Sequence, residues 1–237
     1  MHTTAQKIQT ILAQLADQTL APRKQRFFKT DAGNYAAGDQ FISITVPQLR
    51  IIAKQYKNLA LPDIQLLLNS PINEERLLAL IILSNQYKKA KTATEKQILY
   101  DFYCTHINQV NNWNLVDTSA PQIMGAHLFN KDTQILTTLA RSSNLWHRRI
   151  AIVSTQYFIK RKCYEPTTHI ATVLLHDTHD LIHKAVGWML REVGHQDMQT
   201  LTTFLDQHRH SMPRTMLRYA IEKFPENRRQ HYLKKLS

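Results

Sequence analysis

Glycine is scarce in this sequence, with only five among 237 residues, whereas an average protein has about 7%. Nucleotide-binding α/β folds need glycines in their phosphate-binding loops, and all-β folds need them in hairpin turns. Neither a GxGxxG motif nor a P-loop occurs. The shortage of glycine therefore argues against both classes and predicts an all-helical chain with short connections.

Cysteines and long apolar runs are also few. Cys104 and Cys163 are the two cysteines and lack CxxC spacing, so we expect reduced thiols in the cytoplasm rather than a disulfide framework. No apolar stretch approaches the roughly 20 residues that cross a bilayer, and the N-terminus lacks a signal-peptide pattern. The sequence therefore predicts a cytoplasmic protein with no membrane partner.

Apolar residues recur with helical periodicity along most of the chain. A stripe between residues 8 and 15 predicts a first helix, and residues 30–46 break the pattern and are predicted to form a loop. From Pro62 onward, a short helix, a capping residue and a longer helix follow one another. The predicted N-caps lie 31 to 39 residues apart and are Asn73, Asn112, Asn144, Asp180 and Ser211.

This spacing is typical of an α-solenoid built from HEAT-like helix pairs. Each pair buries its apolar face only by stacking on its neighbours, and a curved stack creates a concave surface. No linker rich in proline, glycine or serine interrupts the pattern. The prediction is one all-α domain over residues 1–237, with N-terminal helices at 1–60, helix-pair repeats at 61–237 and a concave basic face.

Positive charge is abundant, because 30 Lys and Arg residues stand against 18 Asp and Glu residues, for a net charge of +12. This excess indicates a polyanionic partner. The interval between Asp132 and Glu165 contains no acidic residue. Its basic residues include Arg141, Arg148, Arg149, Lys160, Arg161 and Lys162.

Basic residues also recur just after the predicted caps: Arg76, Arg149, Lys184 and Arg214. Helix N-termini already attract anions through their free N–H groups. Repeated cations there predict a shared line of phosphate contacts. Asp117 breaks the rule, because it occupies the corresponding place after Asn112.

Two segments place an aromatic ring beside a charge on one helix face. Trp113 and Asp117 stand at i and i+4, and Trp188 shares a face with Lys184 and Arg191. Gly187 lacks a side chain and predicts room for a ligand backbone beside Trp188. The alternative interpretation makes both tryptophans core anchors and pairs Asp117 with a cation.

A carboxylate in a basic groove opposes phosphate binding, but it helps when the target is cationic. An alkylated purine carries positive charge, and its departure leaves an oxocarbenium-like sugar. Asp117 could stabilise that charge or orient the attacking water. Trp113 and Trp188 could contact the cation, with cation–π contacts worth roughly 0.5–2 kcal/mol each.

The segments WNLVDTSAP at 113–121, NLWHRRIAI at 144–152 and LIHKAVGWMLRE at 181–192 together resemble the AlkD-like DNA alkylation repair family, as does the 38–50 stretch with its VPQLR. These are HEAT-like repeat DNA glycosylases. By this resemblance Asp117 matches the catalytic carboxylate, Trp113 and Trp188 the aromatic pair beside the lesion, and Arg149 the arginine that holds the DNA backbone, with Arg148 its rival.

The family resemblance implies removal of cationic N3- and N7-alkylpurines from duplex DNA, without a metal or organic cofactor. We expect a monomer that is associated with the nucleoid. It also implies that the lesion need not enter a deep pocket, unlike in most base-flipping glycosylases. Two alternatives stay open: a non-catalytic protein that binds damaged or branched DNA, and a protein-interaction scaffold. The HDTHDLIH segment at 176–183 contains paired His and Asp residues that could bind a metal ion, but Asp180 is better explained as a helix cap.

Overall fold

The computed structural model describes residues 3–17 and 19–234, and within these ranges it contains helices and no β-strand. No helix of the described part is long and apolar enough to cross a membrane. The chain divides into two compact units: unit 1 is Met1–Ser119 and unit 2 is Ala120–Ser237. The prediction of an all-α fold is confirmed, whereas the single domain and the concave basic face stay predictions.

Unit 1 is built around one long buried helix, α5, against which α3, α4, α6 and α7 pack. Most side chains between residues 73 and 84 of α5 are buried. A helix that is buried on all sides needs apolar residues on all sides, and the run LLALIIL supplies them. The helices of unit 1 are α1 Thr4–Leu15, α2 Ala21–Phe28, α3 Val46–Gln55, α4 Leu61–Leu68, α5 Asn73–Lys89, α6 Ala93–Thr105, a 3-10 turn Ile107–Gln109 and α7 Trp113–Ser119.

The loop predicted at residues 30–46 is confirmed up to Thr45, after which α3 begins. The loop lies beside α5, because Gln40 forms a bridge with Ile72. Gly33 and Gly38 have positive φ angles of 83° and 87°, which glycine adopts without a steric penalty. The two glycines therefore allow the reversals that bring the loop against the start of α5.

Unit 2 is built around α13, against which α10, α12, α14 and α15 pack. Short and longer helices alternate as predicted, in the pairs α9–α10 and α12–α13. The helices of unit 2 are a π-helical turn Pro121–Gly125, α8 Ala126–Leu128, α9 Gln134–Ala140, α10 Leu145–Ser154, α11 Gln156–Ile159, α12 Glu165–Val173, α13 Asp180–Gln196, α14 Met198–His208, α15 Arg214–Ala220 and α16 Glu226–Leu233.

The predicted helix caps are partly right. Asn144 caps α10 by accepting from the Trp146 amide, and Asn112 accepts from the amide of Trp113 at the start of α7. Asn73 is not the cap but the first residue of α5, and its side chain is bound to Asp39 and Asn114 instead. Two further predictions were wrong: His179 caps α13 in place of Asp180, and α15 begins after Pro213 rather than after Ser211.

The prediction that Gly187 leaves room for a ligand is also wrong. A Cβ at this position would lie 2.4 Å from the Cβ of Tyr219 and 2.5 Å from the carbonyl oxygen of Met216. Both residues belong to α15. Gly187 thus allows α13 and α15 to approach closely, and the space beside it is filled by protein.

Replacing Gly187 by alanine should destabilise unit 2, since the added methyl group meets backbone and Cβ atoms that cannot rotate away. We expect a loss of roughly 1–3 kcal/mol in the free energy of unfolding, the usual cost of overpacking. Gly194→Ala on the same helix is the matched control, because the nearest atom there is a Leu201 side-chain methyl at 2.3 Å. Urea unfolding measures both variants, and equal losses would contradict this account.

The cap of α13 can titrate. Nδ1 of His179 accepts from the amide of Leu181 at 3.1 Å, and burial lowers the pKa of His179, against the opposing attraction of Asp177. A lowered pKa means that folding favours the neutral ring. The neutral His179 ring therefore stabilises the folded state fully at pH values above the unfolded pKa of about 6.5. This stabilisation is lost as the pH falls through the lower pKa of the folded state.

His179→Asn should remove this pH dependence, because asparagine caps a helix without titrating near neutrality. Between pH 7.5 and pH 5.5, the parent protein should lose up to about 1.4 kcal/mol more unfolding free energy than the variant, the limit for one histidine that is protonated only in the unfolded state. Urea unfolding across these pH values measures the difference. Parallel curves for the two proteins would show that the cap does not depend on the neutral ring.

Candidate active site

Helix α7 brings Trp113 and Asp117 together on one half-buried face. The opposite face, with Leu115 and Val116, is fully buried and packs on α5. Residues four apart on a helix lie side by side. The face that carries Trp113 and Asp117 therefore remains at the surface while the apolar face fixes the helix to unit 1.

This face of α7 lines a cleft of about 370 Å³ within unit 1. The other walls come from α2, α5 and the loop before α3, so residues distant in sequence meet here. The cleft is lined by Lys24, Phe28, Phe41, Ile44, Thr45, Val46, Asn73, Glu74, Leu77, Trp113, Asn114, Asp117 and Thr118. A depression with apolar walls and few charged groups is typical of a ligand site.

An aromatic stack forms one wall of the cleft. The ring of Trp113 stacks on Phe28 with centroids 4.9 Å apart and planes at 10°, and Phe28 stacks in turn on Phe41 at 4.4 Å. Phe27 approaches Trp113 edge-on at 6.0 Å. Sequence reasoning missed these phenylalanines, although the adjacent pair at the end of a polar helix was a signal. One face of Trp113 is thus covered by protein, which fixes the tilt of the ring.

The cleft contains two carboxylates in different surroundings. Glu74 is 2% exposed and accepts from the amides of Ile42 and Ser43 and from Lys24 Nζ, at 2.9–3.1 Å. Glu74 is therefore engaged in holding the loop and α2 to α5. Asp117 is half-buried, so part of it remains accessible from solvent.

Trp188 lies on α13 in unit 2, where it is half-buried. Its indole N–H donates to Oε1 of Glu192, one turn further along the helix, at 3.1 Å. Arg191 also lies near Glu192, at 4.0 Å, and forms an ion pair with Glu222 of unit 2. The predicted cluster of Trp188 and basic residues on one helix face thus includes carboxylates as well.

The adjacent arginines of α10 have different environments. Arg149 is 6% exposed, and its guanidinium donates to the carbonyl oxygen of Leu181 at 2.7 Å. Arg148 keeps 18% of its side chain exposed and is paired with Asp177 at 2.6 Å. Arg148 therefore presents more surface to solvent, whereas Arg149 ties α10 to the start of α13.

The remaining basic residues that were predicted to contact DNA differ in how far their side chains are exposed to solvent. Arg76 is 4% exposed and forms a buried ion pair with Asp39 at 2.6 Å, which leaves little of its guanidinium for a phosphate. Lys184 is 41% exposed and pairs with Asp180 at 2.7 Å. Arg214 is exposed, and among the described residues no carboxylate lies within ion-pair distance of it.

A second group of exposed cations follows α11: Lys160, Arg161 and Lys162. The guanidinium of Arg161 lies over the ring of Tyr157, 3.4 Å from its centroid. No acidic partner lies within 4.0 Å of these three side chains in the described part of the chain. Their charge is therefore directed to solvent.

The histidine-rich segment before α13 is engaged within the protein. His179 caps the helix, Asp177 accepts from Arg148, and the ring of His183 hydrogen-bonds to the Asp177 carbonyl oxygen. In the ranges that the structure describes, no group of three or more His, Cys, Asp or Glu side chains is arranged to hold a metal ion.

Comparison with known proteins agrees with this architecture. A solved structure described as a predicted DNA alkylation repair enzyme from Enterococcus faecalis superposes with a TM-score of 0.68 at 14% identity, over 89% of this chain and 97% of that one. At this identity the likeness shows the fold. Comparison with curated proteins finds no match. A family model described as "DNA alkylation repair enzyme" matches residues 8–224, so the chain belongs to the DNA alkylation repair enzyme family.

Proposed function

We propose that this protein is a monofunctional DNA glycosylase that hydrolyses the N-glycosidic bond of cationic N3- or N7-alkylpurines in duplex DNA. The observation that carries the proposal is the cleft of unit 1, in which Asp117 lies beside the aromatic stack of Trp113, Phe28 and Phe41. A carboxylate beside aromatic rings suits a cation, because both the charge and the ring faces attract it.

The chemistry requires little beyond this charge. The bond between C1′ and the purine nitrogen breaks, and its electron pair neutralises the cationic base. A water oxygen then bonds to C1′ and loses a proton. Asp117 stabilises the positive charge that develops on the sugar and orients the water. No cofactor enters the proposed reaction.

Trp113 has a defined part in this proposal. Its ring is half-buried and backed by Phe28, so the accessible part is held at a fixed angle beside Asp117. A rigid ring contacts a base or a sugar without losing side-chain entropy on binding. Trp188 stays in the proposal as a lesion contact by its family resemblance.

DNA backbone contacts are proposed for the exposed cations of unit 2. Lys160, Arg161, Lys162 and Arg214 lack acidic partners within ion-pair distance among the described residues. Arg148, Lys184 and Arg191 would exchange a carboxylate for a phosphate, and Arg149 is included by its family resemblance. Arg76 is left out, because it is buried against Asp39.

Duplex DNA affinity should depend steeply on salt. If about six phosphates are neutralised, the slope of log K against log salt should be near −5, because each phosphate contributes roughly 0.9. Replacing Lys160, Arg161 and Lys162 together by alanine should reduce the magnitude of the slope by up to about 2.7. Fluorescence anisotropy with a labelled duplex measures both.

The matched control replaces three exposed lysines of unit 1 by alanine: Lys88, Lys89 and Lys91. This change removes the same formal charge from a surface without a proposed DNA contact. Its slope should equal that of the parent protein. Equal reductions in the two triple variants would show that net charge, rather than the surface after α11, determines DNA affinity.

Asp117→Asn should separate chemistry from DNA binding. The change keeps the shape and removes the charge, so DNA affinity should be equal or higher, since a group that repels phosphate is gone. The rate of base release should fall by about 10²-fold or more, the effect of losing one well-placed electrostatic group. The assay is single-turnover release from methylated duplex DNA, with chromatography of the free bases and subtraction of spontaneous loss.

Asp101→Asn is the control for loss of one negative charge, because Asp101 is an exposed residue of α6 in the same unit. It should release bases at the parental rate. Parental rates in Asp117→Asn as well would refute the catalytic assignment. Tight DNA binding without any base release by the parent protein would instead indicate a non-catalytic DNA-binding protein.

A further inference from the structure

A largely buried polar cluster joins the loop before α3 to α5 and to the start of α7. Its members are Asp39, Asn73, Arg76, Asn112 and Asn114. Buried polar groups lower stability unless they are hydrogen-bonded. Asn73 and Asn114 also line the cleft of unit 1, and the proposed chemistry uses no member of the cluster directly.

Asp39 is the centre of this cluster. Its side chain is 8% exposed, and its Oδ1 accepts from Arg76 at 2.6 Å. Its Oδ2 accepts from the side-chain amides of Asn112 at 2.7 Å and Asn73 at 3.0 Å. One carboxylate from the loop therefore holds side chains from α5 and from the residue before α7.

The cluster holds α7 by hydrogen bonds to the residues before and after Trp113. Asn112 donates to Asp39 and accepts from the amide of Trp113 at 2.8 Å. Asn114 donates to Oδ1 of Asn73 at 2.7 Å, and Asn73 itself is bound to Asp39. Because the two residues that flank Trp113 are both held, the short helix cannot rotate freely about its axis.

We propose that Asp39 is a positioning residue, which through Asn112 and the Asn73–Asn114 pair fixes the direction in which α7 presents Trp113 and Asp117. This inference rests on the proposed function for its catalytic consequence. Rotation of a seven-residue helix moves Asp117 relative to the reacting sugar. Small displacements of a catalytic group cost much of the rate, on the order of 10²-fold per ångström.

Asn112 offers the sharpest test, because it is fully buried and is not one of the cleft-lining residues. Asn112→Ala leaves the ion pair of Asp39 and Arg76 in place, so the fold should survive. Asn112→Ser retains a hydroxyl that caps a helix but is shorter than the amide that reaches Asp39. If the contact with Asp39 matters, the serine variant should behave like the alanine variant rather than like the parent.

Thr92→Ala is the matched control. Thr92 caps α6 in the same unit, where its hydroxyl accepts from the amide of Glu95 at 3.1 Å. Its loss removes one helix cap of unit 1 without altering the Asp39 cluster. Any general effect of weakening a cap should therefore be seen in this variant as well.

The kinetic measurement is single-turnover base release at saturating DNA. For Asn112→Ala we expect about 10-fold or greater loss of rate, with a DNA dissociation constant within about twofold of the parent value. In an Asp117→Asn background the same change should cost less than about twofold, because two residues that act through one another are not additive. If Asn112→Ala lowers the rate of base release as much in the Asp117→Asn background as in the parent protein, the proposal is overturned.

The second measurement does not require catalysis. In a background with Trp146→Phe and Trp188→Phe, Trp113 is the only tryptophan. Asn112→Ala should change the acrylamide quenching constant of Trp113, because the exposure of the ring depends on how firmly α7 is held, while Thr92→Ala leaves the constant unchanged. Unchanged quenching in Asn112→Ala would refute the positioning role. If Asn112→Ala alters the quenching but the parent protein releases no base from methylated DNA, the proposed function alone is refuted.

Discussion

The carboxylate of Asp39 is the point at which three segments of unit 1 meet. A charge with only 8% of its side chain exposed is tolerated inside a protein only when donors surround it. Arg76 and two asparagine amides supply those donors. The need to surround the Asp39 carboxylate with donors thus determines where the loop crosses α5 and where α7 begins. The cleft depends on that arrangement, because these three segments and α2 form its walls.

Most helices could be predicted from the sequence, because the apolar pattern that marks them is local. The α12–α13 pair and the Asn144 cap of α10 are examples. Helix α2 was missed, since Phe28 is its one buried residue and the remainder is polar or exposed. Asn73 was misread as a cap because its partner, Asp39, lies 34 positions away. Local sequence contains no signal for such a partner.

The candidate site was predictable only on α7 itself. The spacing of Trp113 and Asp117 placed them on one face, whereas Phe41 and Glu74 reach the cleft through the path of the loop and α5. The basic residues show the same limit. Their number could be counted, but the carboxylates opposite them could not, and the pairing of Arg148 with Asp177 depends on tertiary packing. Net charge therefore overstates the positive field of this protein.

The aromatic stack beside Asp117 has an electrostatic consequence. Phe28, Phe41 and Trp113 form a wall of low polarity, and mobile ions do not penetrate such a wall. Charges near it interact as in a medium of lower dielectric constant than water, whereas the cations after α11 face the ionic atmosphere directly, with a screening length of about 8 Å at physiological ionic strength. In the proposed function, ionic strength therefore acts on the capture of DNA by these exposed cations, and has less effect on the charge of Asp117 beside the aromatic wall.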